Sequence, residues 1–415
     1  MAKIREFAGL RPERGLAVQV AELPYDVVSS EEARAIAKNR PHSFFHISKP
    51  EIDFPESVSP YDDRVYAKAR ENFERFIGDG VLRGDDEPGL YLYTLVMGGR
   101  EQTGVVGCLD IDDYLEDRIK KHELTREDKE RDRMRHVDSL SAQTGLVFTF
   151  YRENGAGRPL FARALEAAPE VDFTSEDGIR HMLRRVSDGE LIASFKELLR
   201  SQALYIADGH HRAAAAVKVG LLRRKANPNH TGEEEYNRFL AVVFPHEQLK
   251  ILPYNRVVRD LNGQSVDEFL ERLGQSYSIE DIVSGKPPGP RRICMYLRGR
   301  WRLLTPRSRP EGDIVARLDV SVLQKTILEP LLGIGDPRKD MRIDFVGGIR
   351  GPAELERLVR DGGFAVAFSL FPTSIEELIA VADNGGLMPP KSTWFEPKLR
   401  SGLAIHRIER IPAGQ

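Results

Sequence analysis

The strongest constraint on the fold is a junction near the middle of the chain. The apolar run Ala203-Leu204-Tyr205-Ile206-Ala207 reads as a buried strand. The stretch Ala213 to Lys225 reads as a helix, with Val217 and Leu221 on the same face as Ala213 and Ala214. Between them lie Asp208-Gly209-His210-His211-Arg212, so two imidazoles, a carboxylate and a guanidinium share one strand-to-helix turn. Such a turn presents first-turn backbone N–H groups and the positive end of the helix dipole, both of which favour an anion. Gly209 can adopt positive φ and let the backbone approach a ligand. The combination points to a site that handles phosphate or carboxylate. In the competing reading, Asp208 is a helix N-cap followed by ordinary first-turn histidines. Adjacent histidines at a helix start diverge by about 100°. No His-Glu-x-x-His or cysteine-pair spacing completes a zinc site, so a metal held by this turn alone is not expected.

At 415 residues the chain has room for about two or three domains and a substantial core. It is 41% hydrophobic and 30% charged, ordinary for a water-soluble globular protein. A net charge of -3 gives no global attraction to nucleic acid or to an anionic membrane. The two cysteines, Cys108 and Cys294, lie in strand-like runs, which excludes a disulfide framework and suits a reducing cytoplasm. The N-terminus lacks the apolar stretch of a signal peptide, and runs such as Phe364 to Phe371 are too short to span a bilayer.

Strands and helices intermix throughout, which predicts an α/β, mixed α+β protein. Ser29 and Glu32 have capping-box spacing. A helix is expected over Arg64 to Ile77, burying Val65, Ala69, Phe73 and Phe76. Leu90 to Val96 and Gln102 to Leu109 flank Gly98-Gly99-Arg100 as a hairpin. A highly charged helix over Thr125 to Ser139 follows, then strands at Leu146 to Tyr151 and Arg238 to Phe244. The Gly-Lys-Pro-Pro-Gly-Pro segment at 285–290 reads as a linker or exposed turn. Beyond it, Ile293 to Leu297 and Trp301 to Leu304 read as a second hairpin, before alternating strands and helices to about Ala382.

Other groups carry chemistry. His122-Glu123 sits just before the charged helix, whose start is marked by Thr125 and Asp128 at capping-box spacing. A carboxylate beside a histidine at a loop-to-helix junction suits a general base in a desolvated site. Lys129, Asp132, Arg133 and His136 share one stripe of that helix, either a solvated face of ion pairs or a set of ligand-binding cations. Gly385 to Thr393 fails as a phosphate loop because Pro390, which has no N–H, stands where glycine should precede the lysine. Lys391, Ser392 and Thr393 are left as candidate anion contacts, against the reading of a rigid connecting loop. Tyr25-Asp26 lies in a loop after Pro24, and His46, in Phe44-Phe45-His46-Ile47, reads as a packed histidine.

Together Pro24-Tyr25-Asp26-Val27 with Ser29, Ser43-Phe44-Phe45-His46, Lys121-His122-Glu123-Leu124-Thr125, Ala207 to Arg212 and Pro389 to Thr393 resemble the DUF1015 family, over nearly the whole chain. More locally, the Asp-Gly-His-His-Arg turn and its alanine-rich helix are similar to those of free L-serine kinases with a ParB/sulfiredoxin-like fold. That resemblance implies Glu123 as the base activating a serine hydroxyl, with His122 beside it. It implies Asp208, Gly209, His210, His211 and Arg212 around nucleotide phosphates. It also implies a ParB/sulfiredoxin-like core over 116–285, with α/β additions over 1–115 and 286–415.

The expectation is a phosphotransferase acting on a small hydroxy amino acid, foremost free L-serine, with ADP or ATP as donor and Mg²⁺ bridging phosphate oxygens. Arg212, Lys129, Arg133, Lys391, Ser392 and Thr393 are its phosphate-contact candidates. Glu123, His122, Asp208 and His211 are its catalytic candidates. A phosphoserine phosphatase on the same scaffold and a non-catalytic ParB-like nucleotide-binding regulator are the rivals. No basic patch interleaved with aromatics marks a nucleic-acid partner.

Overall fold

The computed structural model describes residues 2–308 and 311–409. The fold is mixed α/β, and the chain forms two compact units. The first takes residues 1–121, 125–249 and the chain from 397 onward; the second takes 122–124 and 250–396. These are not the three regions expected at 1–115, 116–285 and 286–415. The reason is strand pairing: strands from Ile4 to Pro245 join one sheet, so a boundary at 115 would cut through it.

The sheet of the first unit contains β1 (Ile4–Arg5), β2 (Leu90–Met97), β3 (Arg100–Asp110), β4 (Ile119–Lys120) and β5 (Val147–Tyr151). It continues with β6 (Val171–Thr174), β7 (Arg180–Val186), β8 (Leu204–Asp208) and β9 (Arg238–Pro245). The order across it is β4-β8-β5-β9-β3-β2-β7-β6, with β1 paired to β3. Most pairs are antiparallel; β8 with β4 and β9 with β5 are parallel. The strands near the site, β5, β8 and β9, are apolar along almost their whole length, as strands covered on both faces must be.

Three longer helices shape this unit: α1 (Asp63–Gly78), α2 (Glu127–Leu140) and α3 (His210–Ala226). The apolar stripe of α1 is buried as expected, with Val65, Ala69, Phe73 and Phe76 at 3% exposure or less. Around α3 the burial runs nearly all the way round, the mark of a helix inside a core. One face sets Ala213, Ala216 and Val217 against Leu204, Ile206 and Phe239; Val219 packs with Tyr236 and Ile408. Leu221, expected on the first face, is exposed, because spacing of four drifts round the helix and Gly220 takes the inner position instead. A Cβ on Gly220 would lie 2.4 Å from the Tyr236 carbonyl oxygen, so only glycine lets that segment approach.

After the second unit the chain returns to the first. Ile405 pairs with Leu10, and His406 and Arg407 pair with Gln143 and Ala142. Ile405 joins the core of Phe44, Ile47, Phe73 and Phe76.

The second unit holds β10 (Tyr254–Val258), β11 (Tyr277–Ile282), β12 (Ile293–Leu297), β13 (Arg300–Pro306), β14 (Ile343–Gly347) and β15 (Val366–Ser369), in the order β11-β13-β12-β15-β10-β14. Its main helices are α4 (Val266–Ser276), α5 (Gly351–Asp361) and α6 (Ile375–Asp383). Helices α4 and α6 start at complete capping boxes, Ser265 with Glu268 and Ser374 with Glu377. The segment at 285–290 is a turn inside this unit. Among the described residues no helix is long and apolar enough to cross a membrane.

Candidate functional site

Strand β8 runs antiparallel to β5 until the register shifts between Ile206 and Asp208. A bulge of this kind re-aims the end of a strand. Gly209 then turns the chain into α3 at φ 94°, a left-handed conformation that glycine adopts without strain. It is the N-cap, and no side chain caps the helix, so Asp208 is not the cap of the competing reading. Instead the Asp208 carboxylate lies 3.4 Å from Arg212 Nη2 and 3.5 Å from Lys398 Nζ. Charge-assisted bonds close to about 2.7–2.9 Å, so these cations hold Asp208 loosely. Arg212 also donates from Nη1 to the Leu146 carbonyl, while its Nε is buried without a hydrogen-bond partner.

The two histidines diverge as helical geometry requires. His210 is buried, and burial pulls its pKa down to about 4, so it is neutral at pH 7. His211 Nε2 accepts from the Arg126 N–H at 2.9 Å, which places the proton of the neutral ring on Nδ1. The start of α2 is therefore tied to the turn. This corrects the expected capping box: Arg126 is the N-cap of α2, and no side chain caps it. The Thr125 hydroxyl donates to Glu130, whose carboxylate is paired with Lys218 of α3, and that anchored acceptor holds the hydroxyl away from a cap.

The charged stripe of α2 is largely buried, contrary to a solvated face. Asp132 and His136 are 8% and 3% exposed. Tyr66 donates to Asp132 at 2.7 Å, and Arg133 Nε donates to it at 2.9 Å. Burial pushes the Asp132 carboxyl up, but the charge of Arg133 and these hydrogen bonds outweigh it and hold the group below its ordinary value. His136 Nε2 donates to the Ile47 carbonyl at 2.8 Å, and burial lowers its pKa to about 4. The Arg133 guanidinium stacks over the Tyr25 ring at 4.0 Å. Lys129 points elsewhere, donating to the Tyr61 hydroxyl at 2.9 Å.

Arg133 and Arg212 line one cavity, together with Tyr25, Ser48, Gly145 and Ser401. Arg133 and Arg212 belong to the predicted set; Tyr25, Ser48, Ser401 and Lys398 were not assigned a role. Lys398 and Ser401 come from the returning C-terminal segment, 190 or more positions after Asp208. The available signal was local: Lys398 and Arg400 alternate with Leu399, a pattern that fits cations drawn inward along an extended segment. His46 is held by Asp53 at 2.6 Å, as a packed histidine would be.

The remaining candidates belong to the second unit. His122 accepts from the Met388 N–H through its carbonyl at 2.8 Å, and its Nε2 lies 3.4 Å from Thr393 Oγ1. Lys391, at φ 59°, sits over the Tyr254 ring at 5.6 Å, and its carbonyl accepts from Arg256 at 3.0 Å. The Ser392 hydroxyl donates to the Pro389 carbonyl at 2.6 Å. Lys391 to Thr393 thus form an internally bonded loop within that unit. Glu123 is part of the same unit.

Residues 4–321 match the model of the family described as "Protein of unknown function (DUF1015)". No curated protein matches the chain. Among solved structures, a free serine kinase in complex with AMP aligns over 74% of this chain and 91% of its own, at 11% identity and a TM-score of 0.37. C-terminally truncated SbnI from Staphylococcus aureus aligns over 72% and 87%, at 12% identity and a TM-score of 0.39. A conserved hypothetical protein from Pyrococcus furiosus aligns over 72% and 94%, at 13% identity and a TM-score of 0.35.

Proposed function

The chain belongs to the DUF1015 family, and from the site in its first unit we propose that it is a phosphotransferase acting on a small hydroxy amino acid, foremost free L-serine, with ADP or ATP as phosphoryl donor. The observation that carries this reading is the Asp208–Arg212 turn. It opens a 17-residue helix on an uncapped N-terminus and sets Arg212 and Lys398 beside it. Backbone N–H groups, the helix dipole and two cations form an environment for polyphosphate oxygens. Phosphoryl transfer needs this positioning and charge neutralisation more than it needs covalent chemistry.

In this reading the first-turn N–H groups, Arg212 and Lys398 hold the nucleotide phosphates. The His211 Nδ1–H adds a donor. Glu123 takes the proton of the substrate hydroxyl as its oxygen forms the new bond to phosphorus and the bond to the nucleotide's bridging oxygen breaks. Mg²⁺ is held mainly by substrate phosphates and one or two carboxylates. Asp208, the carboxylate of this turn, fits that role, and the ion would supply charge neutralisation on the phosphates.

Phosphorus NMR of the protein with Mg²⁺, L-serine and ADP or ATP tests the proposal. Phosphoserine is expected only when nucleotide is present. Glu123→Gln is expected to abolish it while nucleotide still binds. Full activity in that variant would remove Glu123 as the base. Free phosphate released from phosphoserine without nucleotide would replace the kinase with a phosphatase.

A further inference from the structure

The loop Pro24-Tyr25-Asp26-Val27 has no part in the chemistry above, yet Pro24 and Tyr25 form a wall of the cavity lined by Arg133 and Arg212. The cavity measures about 40 Å³. One water position needs roughly 10–15 Å³ on this measure, so there is room for a compact group of a few heavy atoms but not for a nucleoside.

Its walls are unusual in what they leave unsatisfied. Arg212 Nε and Ser48 Oγ are both buried and have no hydrogen-bond partner within the chain, and Ser48 is 4% exposed. A buried polar atom left unpaired costs about 1–3 kcal/mol, and here two belong to residues that line one small cavity. Arg133 and Arg212 both line this space, and two like charges so placed repel each other unless negative charge lies between them. Their own carboxylates do not supply it equally: Asp132 sits tightly on Arg133, but Asp208 is 3.4 Å from Arg212. The Tyr25 ring beneath Arg133 fixes the plane of that guanidinium. Burial pushes the Tyr25 phenol well above its ordinary value, so it stays a neutral donor. His136, also in the wall, uses its Nε2–H on the Ile47 carbonyl and adds no charge at pH 7.

We propose that this cavity is a pocket for a compact oxyanion, the carboxylate or the phosphate of the small substrate, held by Arg133 and Arg212 with the Ser48 and Tyr25 hydroxyls as further donors. It deepens the phosphotransferase reading by giving the anionic end of the hydroxy amino acid a place. It can be tested without turnover. An amino acid whose carboxylate is fixed here is oriented as well as bound, so the pocket selects α-carboxylates over simple alcohols.

The test is calorimetric titration of L-serine, inorganic phosphate and ADP into the full-length protein, its Arg133→Lys variant and its Ser48→Ala variant. Arg133→Lys keeps the charge but loses the planar fork, and is expected to weaken oxyanion binding about ten- to hundredfold. Ser48→Ala is expected to weaken it by up to about tenfold. The same Ser48→Ala variant should melt no lower than the parent without ligand, since it removes an unpaired buried hydroxyl; a purely structural serine would melt lower. Loss confined to L-serine assigns the pocket to carboxylate. Loss confined to inorganic phosphate assigns it to the substrate's phosphate, whereas loss shared by phosphate and ADP would overturn the assignment to the small substrate. Parent protein that binds none of the three, or variants that bind all three as the parent does, would overturn the pocket. L-serine bound here without phosphoserine formed would keep the pocket and remove the kinase. Unaltered binding with full turnover would do the reverse.

Discussion

Arg400 and Arg212 each stand beside a buried histidine and an aspartate in the first unit, but their hydrogen bonding ends differently. At Arg400 the Nε, Nη2 and backbone N–H groups all have partners. The Arg400 Nε–H donates to His181 Nε2 at 3.3 Å, and the Arg400 N–H donates to the Tyr93 hydroxyl at 3.2 Å. Nη2 reaches Ser175 at 3.1 Å and Asp177. His181 Nδ1 meets the Tyr93 hydroxyl at 2.8 Å. At Arg212 the carboxylate stands at 3.4 Å, Nε is unpaired, and the Ser48 hydroxyl is unpaired as well. A saturated buried network fixes a fold. An incomplete one in a cavity lowers stability and is kept for what completes it. Similar residue types thus serve structure at one place and recognition at the other.

That contrast can be broken most forcefully at Arg400. Arg400→Met removes one partner each from His181 and the part-exposed Asp177 and is expected to cost about 1–3 kcal/mol in urea unfolding, with nucleotide affinity unchanged in the folded fraction. A loss of affinity in fully folded variant protein would mean that the two clusters are not separate in role.

The buried histidines sharpen the comparison through pH. Burial lowers His181 to about 3 and His136 and His210 to about 4. As pH falls through the ordinary histidine value of about 6.5, the unfolded chain takes up protons that the folded chain refuses. Their contribution is therefore complete above that pH and drains away between about 6.5 and 4, by about 1–3 kcal/mol for each. Urea midpoints at neutral pH and near pH 4.5 should differ accordingly; a flat profile would show that these rings protonate in place.

Smaller effects belong to the open cluster. Lys398→Met removes one of the two cations beside Asp208 and is expected to weaken ADP binding about tenfold with little change in melting temperature. Gly145→Ala adds a methyl 3.4 Å from Arg212 Cδ and 3.7 Å from Ser401 Oγ. It should narrow the cavity and lower oxyanion affinity by less than about tenfold, read by the same titration.

Much of this was legible along the chain. The strand into Asp208 and the helix after Gly209 stand where the apolar run and the alanine content put them, and α1 buries the four residues its periodicity names. These are local properties, set within a few turns. The division into units was not legible, because it depends on β1 to β9 pairing across some 240 residues. Lys398 and Arg400 were missed for the same reason: their partners are far away in sequence. Thr125 misled because a capping pattern says nothing of Glu130, which Lys218 holds in place to take the hydroxyl. The stripe on α2 stayed open between a solvated face and a ligand-binding one because charge alone does not reveal that Tyr66, Ile47 and Tyr25 cover it.

The most direct test of the central claim, that the unsaturated cluster at Arg212 exists to bind phosphate, is ADP affinity measured in parallel for the parent, Arg212→Met and Arg400→Met proteins. Arg212→Met should lose at least about tenfold while folded Arg400→Met retains the parent's affinity. Equal affinity in the parent and Arg212→Met proteins would contradict it.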